Sequence, residues 1–307
     1  MTYFIPSLKD ILKEKGELGD ENLDFKNTSI NFEEPEFEYK ESIIRKILLK
    51  LVNGFVSFTI ILLLWYGIAQ WVIHTRNVPF PTPKQTFSRL FALLKGENLY
   101  GETIYDHVTA SLIRWGIGFA LAALFGILLG IALGSSKILY DTTMPTVYVI
   151  QLIPGLAWIP IALLIFGLGN TSTIFMIFAT AFAPIVINTC GGIRSVPPVY
   201  VRAAKMMGAG KITVFFRVML PASALSVVNG LRIGLANGWR VLIAAEMIVG
   251  VGQGLGFSII QSRWSLDFES AFVCIVIICI IGLLIEKLLF EIIENKVVER
   301  IGLTEGK

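Results

Sequence analysis

The sequence predicts an all-α, polytopic membrane protein with six transmembrane helices. Three observations carry this. Of 307 residues, 54% are hydrophobic and only 16% charged, with mean hydropathy +0.71, whereas soluble domains carry roughly 25% charge. Several apolar runs reach the ~20 residues that cross a bilayer as a helix. Basic residues collect in particular connections, which sets the orientation. The three cysteines, Cys190, Cys274 and Cys279, lie in or beside apolar runs, and His74 and His107 are far apart. No metal site and no disulfide framework follows from them, and no nucleic-acid partner is expected.

The elements follow in order. Residues 1–42 hold eleven acids against five lysines, without the basic start and apolar core of a signal peptide. They read as an acidic, mostly flexible cytoplasmic extension. A transmembrane domain is expected over 43–300, with a short tail at 301–307. The first span, 51–73, follows Arg45, Lys46 and Lys50, which place its start in the cytoplasm. An external connection, 75–106, begins extended through Pro79, Pro81 and Pro83, then continues as an amphipathic helix over 84–94. The second span, 108–133, carries Ala122, Gly126, Gly130 and Gly134 at intervals of four, a stripe that lets another helix pack closely. The third, 144–168, is interrupted by Pro154, Gly155 and Pro160 in IPGLAWIP. Such a break lines a transport route or is an ordinary proline kink. The fourth span is 172–191. The fifth, 224–249, repeats the small-residue spacing at Ala222, Ser226, Gly230, Gly234 and Gly238. A glycine-rich external turn over 250–256 and a partly amphipathic segment over 257–270 precede the sixth span, 271–292. Both termini are then cytoplasmic.

The segment 196–221, VPPVYVRAAKMMGAGKITVFFRVMLP, stands apart. It carries Arg202, Lys205, Lys211 and Arg217 and no acid. Pro197-Pro198 stops the preceding helix. Residues 199–207 can form a short helix ended by Gly208 and Gly210. Ala203 and Ala204 leave one face nearly bare, so a partner could approach the backbone. A basic loop of this kind belongs in the cytoplasm.

Its pattern, Ala203-Ala204, Gly208-Ala209 and Leu220-Pro221, resembles the EAA loop of ABC-importer permeases. Three further blocks, His107 to Gly134, Pro145 to Gly169 and Gly230 to Gly256, resemble the subfamily that serves nitrate, sulfonates and taurine, bicarbonate and, in some members, pyrimidine precursors of thiamine. The resemblance covers about 79–291 and implies a type I importer permease fold. It also implies a permease pair, two ATPase subunits, an extracytoplasmic solute-binding protein, and residence in a prokaryotic inner membrane. It makes 199–210 a coupling helix, with Arg202, Ala203, Ala204, Gly208, Ala209 and Pro221 facing the ATPase. Where the family most often has glutamate, this chain has Arg202. No G-x-x-x-x-G-K-[ST] occurs: Gly210-Lys211 is followed by Ile212. ATP and magnesium therefore belong to the partner, and the chain is a transport subunit with no cofactor and no catalytic residue.

Four ionisable residues fall inside spans: Arg114, Arg232, Arg240 and Glu246. Each needs a partner or water. Arg232 can snorkel. Arg114 and Glu246 lie at similar depth, about six and about four residues from the outer ends of their spans at 1.5 Å each, and are expected to pair. Arg240 lies nearer mid-membrane. It faces the translocation path with Asn237, Pro154, Trp158 and Pro160, or it is a structural arginine bonded to freed carbonyls. An ion-coupled secondary transporter is the rival class, but it would need acids near mid-bilayer.

Overall fold

The computed structural model describes residues 36–250 and 252–290. The acidic tract before residue 36 and the tail after 290 lie outside the described residues. The chain divides into two compact units, 1–61 and 62–307. In the first, the described residues form the start of helix α1 (Glu36–Arg76). The expected boundary at 42 therefore falls inside a helix. No proline or glycine interrupts 36–53, and a helix once nucleated gains one hydrogen bond per residue. Its portion Leu51–Arg76 is apolar enough to cross a membrane.

In the second unit, α2 (Pro83–Leu94) begins with a capping box. The Gln85 amide donates to Thr82 Oγ1, and the Thr82 amide to Gln85 Oε1 at 3.0 Å, with Pro83 preset for the first turn. A small hairpin pairs β1 (Asn98–Leu99) with β2 (Glu102–Thr103). Its turn residues, Tyr100 (φ 54°) and Gly101 (φ 94°), are both left-handed, as a two-residue type I′ turn requires. Tyr100 is held there by its hydroxyl, 3.0 Å from Ser262 Oγ and 2.9 Å from Ser265 Oγ.

Helix α3 (Ile104–Ser135) starts from a second capping box, Thr103 with Asp106. It runs parallel to α6 (Asn170–Arg194), and the glycine stripe sets their spacing. A Cβ on Gly130 would fall 2.6 Å from Thr189 Cβ, and one on Gly134 2.8 Å from Ile193 Cβ. Gly118 meets Ile177 and Gly126 meets Ile185 in the same register. The other face of α6 takes the glycines of α8 (Lys211–Val249), antiparallel. There Gly230 lies over Asn188, Gly234 over the Ala181 carbonyl and Gly238 over Ile177. Helix α6 is thus clamped between two glycine seams, with Ile177, Ala181, Ile185 and Val186 buried.

The third span is α4 (Lys137–Leu152), a 3₁₀ turn (Gly155–Trp158) and α5 (Ile159–Phe166). The two parts are bent by 102°. Pro154 lacks a donor and forces Ile153 into extended backbone (ψ 117°). Gly155 is where the break meets its neighbours: an added Cβ would run into the Val241 side chain and lie 3.1 Å from Thr180 Oγ1.

Helix α8 begins at Lys211, ten residues before Pro221, where the connection was expected to end. A π turn, Phe215–Met219, carries the helix up to Pro221, and the Leu220 amide bonds the Phe215 carbonyl five residues back. The turn after α8 uses Gly250 (φ 68°) and Gly252 (φ 76°). Helix α9 (Leu255–Trp264) follows, then α10 (Phe268–Leu284), which continues as a π turn, Ile285–Phe290. Among the described residues, five helices are long and apolar enough to span a membrane, and the bent pair makes six.

Candidate functional site

Three places hold the residues singled out by sequence. The first is helix α7 (Pro198–Met206), between α6 and α8. Pro197, at φ −56° and ψ 130°, ends the chain's extended entry, and Pro198 opens the helix. Its end is a Schellman motif: the Ala209 amide bonds the Ala204 carbonyl and the Gly208 amide bonds that of Lys205, both at 3.0 Å, with Gly208 at φ +83°. Ala204 is buried, Ala209 half-buried, and Arg202, Ala203, Lys205 and Gly208 are exposed. The segment is therefore a preformed, cationic projection. Its most open apolar side chains are ones sequence reasoning passed over, Met206 at 89% and Met207 at 81% exposure. A doublet of methionines between Lys205 and Gly208 is a legible signal, because flexible thioethers suit adaptable contact surfaces. Pro221 sits ten residues into α8, just after the π turn, and is exposed.

The second place is the break in the third span. A cavity of about 270 Å³ lies there, lined among others by Gln151, Pro154, Thr180, Asn237 and Arg240. Arg240 Nη1 donates to Asn237 Oδ1 at 3.2 Å. The structure thus brings Pro154, Asn237 and Arg240 together. It does not bring Trp158 or Pro160 into that cavity. Trp158 packs against Phe175, edge to face at 6.0 Å, in a cluster with Ala162 and Val241. Pro160 lies in the first turn of α5, exposed and off the cavity wall. The 102° bend separates the faces that a gently kinked helix would have kept together.

The third place is a buried polar knot joining α3, α6, α8 and the start of α9. Arg114 Nη1 donates to Glu246 Oε1 at 2.5 Å, with Arg114 5% and Glu246 0% exposed. Arg114 Nε donates to Asn170 Oδ1 at 2.7 Å. The Ser111 hydroxyl bonds both carboxylate oxygens, at 2.8 and 2.9 Å, and accepts from the Leu255 amide at 2.9 Å. The Gly256 amide donates to Glu246 Oε2 at 2.9 Å. Gly254 and Gly256 permit this approach, since a Cβ on Gly254 would lie 2.6 Å from the Glu246 carboxyl carbon. His107, fully buried, extends the knot: Nδ1 accepts from the Gly254 amide at 3.0 Å, which assigns the proton to Nε2, and Nε2 donates to the Leu99 carbonyl at 2.9 Å. His107 and Ser111 were not foreseen. Their signal is the spacing 107, 111, 114, one face of a helix. At the opposite end of α8, Arg232 Nη2 lies 3.3 Å from Glu286 Oε1.

Glycine-seamed spanning helices, a broken span beside a cavity and one projecting basic helix define a multi-pass transport subunit. The family described as "Binding-protein-dependent transport system inner membrane component" matches residues 122–299, more than half of the chain, and the chain belongs to it. It is 35% identical over 244 residues, 78% of this chain and 86% of the relative, to the nitrate import permease protein NrtB of Synechocystis sp.. It is 33% identical over 230 residues, 75% and 83%, to the taurine transport system permease protein TauC of Escherichia coli K12. A chain of the inward-facing MetNI methionine ABC transporter shares the fold, with TM-score 0.55 at 20% identity over 63% of this chain and 95% of that one. The protein is thus an ABC-importer permease subunit of the type I fold in an inner-membrane transport system. It is not an enzyme; hydrolysis belongs to a separate ATPase subunit, and the family works with a binding protein.

Proposed function

We infer that this chain forms the path through which a small anion of the nitrate, sulfonate/taurine or bicarbonate class is imported. Two copies of it are moved by two ATPase subunits and loaded by an extracytoplasmic binding protein. The observation that carries the coupling reading is α7. It opens on Pro198, closes in a Schellman motif, is exposed and cationic, and is joined to α6 and α8 by connections of three and four residues, 195–197 and 207–210. A push on it passes to the two helices that pack face to face along the glycine seam. The end bearing Arg194, Arg202, Lys205, Lys211 and Arg217 is cytoplasmic, by its excess of cations, and so are both termini. The hairpin, His107 and the Gly254 turn then face outward.

In alternating access, ATP closes the ATPase pair, α7 is displaced, and the cavity opens outward to receive the solute. Arg202 in place of the usual glutamate shifts the ATPase contact from an ion pair to shape, cationic charge and the exposed methionines. No bond is made or broken in this chain. The anion class rests on the two relatives named for nitrate and taurine.

Proteoliposomes holding the permease with its ATPase and binding protein test the reading. ATP-driven uptake of nitrate, taurine or bicarbonate is expected, with none when the ATPase is left out. Uptake of an aminopyrimidine alone would overturn the anion class. Uptake by the permease without ATPase would overturn the coupling role.

A further inference from the structure

We propose that the cavity in the break of the third span is an anion-selecting subsite of the permease itself, which holds a small monovalent oxyanion on Arg240. The proposal rests on the reading of the chain as an anion permease. It adds that this chain, and not the binding protein alone, discriminates among solutes.

Four observations meet there. Arg240 lies within the 39-residue helix Lys211–Val249, yet its side chain is exposed. An arginine at membrane depth faces a water-filled space or a partner, not lipid. Glu246 cannot neutralise it: six residues of helix place the two side chains about 120° apart, and Glu246 is committed to Arg114, Ser111 and Gly256. The hydrogen bond that Arg240 makes among the described residues is to a neutral amide, Asn237 Oδ1. Most of its five donors stay available for a ligand.

The walls fit the same ligand. Asn237 accepts through its oxygen and so keeps its Nδ2 hydrogens as donors, and Gln151 supplies a second amide. No carboxylate lines the cavity among the described residues. The volume of about 270 Å³ equals roughly nine waters at ~30 Å³ each. That is room for a small ion and part of its hydration, at the lower edge of small-molecule pockets. Gly155 keeps the space against Thr180 and Val241, where any side chain would intrude. A guanidinium fork matches two oxygens of nitrate, hydrogencarbonate or a sulfonate head. A cationic solute finds no counter-charge there, and a neutral one leaves the Arg240 charge unmatched.

The test uses the full complex in proteoliposomes at saturating binding protein, with nitrate, hydrogencarbonate, taurine and methanesulfonate as probes. Arg240→Gln is expected to lower the maximal uptake of the transported anion at least tenfold. Asn237→Asp, nearly isosteric, sets a carboxylate against Arg240 and is expected to lower it as strongly. Arg240→Lys keeps the charge but loses the fork; it is expected to retain more uptake than Asn237→Asp and to change the ratio of uptake between anions. Co-purification of ATPase with each variant reports assembly. Wild-type-rate uptake by Arg240→Gln or by Asn237→Asp overturns the proposal. So does an Arg240→Lys variant no better than Arg240→Gln, which marks a structural arginine. Wild-type complex that moves none of the four probes overturns the anion reading as well, so the two failures are told apart.

Discussion

Arg114 and Arg240 are both arginines inside spanning helices, and the fold treats them oppositely. Arg114 is 5% exposed, with Glu246 at 2.5 Å and Asn170 at 2.7 Å, inside a knot that also fixes the start of α9. Arg240 is exposed beside a cavity and leans on one neutral amide. A cation in a membrane is costly wherever it sits. Where the protein supplies a carboxylate and several donors, the charge becomes a fastener. Where it supplies open space and no acid, the charge keeps most of its donors uncommitted among the described residues. Partnering, not depth, separates Arg114 from Arg240, the arginine proposed to hold the solute.

The comparison can be broken most sharply at the fastener. Glu246→Ala strands Arg114, the Ser111 hydroxyl and the Gly256 amide in the interior. It should destabilise the protein by about 3–5 kcal/mol, the range for removing one partner of a buried pair, read as a fall in thermal midpoint in detergent. Exchanging the two residues, Arg114→Glu with Glu246→Arg, should recover part of that loss relative to either single change. No recovery would mean that the amides of Gly256 and Leu255, not the ion pair, hold the knot. Next, Gly130→Ala drives a methyl to about 2.6 Å from Thr189 Cβ and should cost ~1–3 kcal/mol, the usual penalty for overpacking, again in thermal midpoint.

Gly208→Asp moves the contrast from stability to function. A non-glycine residue at φ +83° costs roughly 1–2 kcal/mol, yet ATP-driven uptake should be abolished, because a carboxylate now caps a cationic docking helix. Normal uptake would remove α7 from the coupling path. The smallest effect is expected at Arg232–Glu286, whose side chains are 46% and 52% exposed. Glu286→Gln should change stability by less than ~1 kcal/mol, as exposed pairs do.

Much of this was legible beforehand, and the reasons are specific. Spans follow from length and hydropathy. The glycine stripes at 126, 130 and 134 and at 230, 234 and 238 follow from their spacing of four, which returns to one face of a helix. Arg114 and Glu246 could be set at one depth by counting residues from the span ends. Other features needed the third dimension. Pro154 announces a break but not its 102°, so Trp158 and Pro160, close in sequence to Pro154, come off the cavity wall. The basic segment was expected to run to Pro221, but α8 starts at Lys211 and reaches Pro221 through a π turn, which is unrecognisable from residue types. The glycines at 254 and 256 read as part of an external turn, whereas their function in the fold is close approach to a buried carboxylate 8 to 10 residues earlier. Such an approach is a property of two chain segments together.

The most direct test scores both arginines on the same two axes, thermal midpoint of the purified complex and maximal ATP-driven anion uptake. The account predicts that Glu246→Ala collapses the midpoint, while Arg240→Gln leaves it within a few degrees and cuts uptake at least tenfold. A variant at Arg240 that melts as early as Glu246→Ala, or one that transports at the wild-type rate, would contradict it.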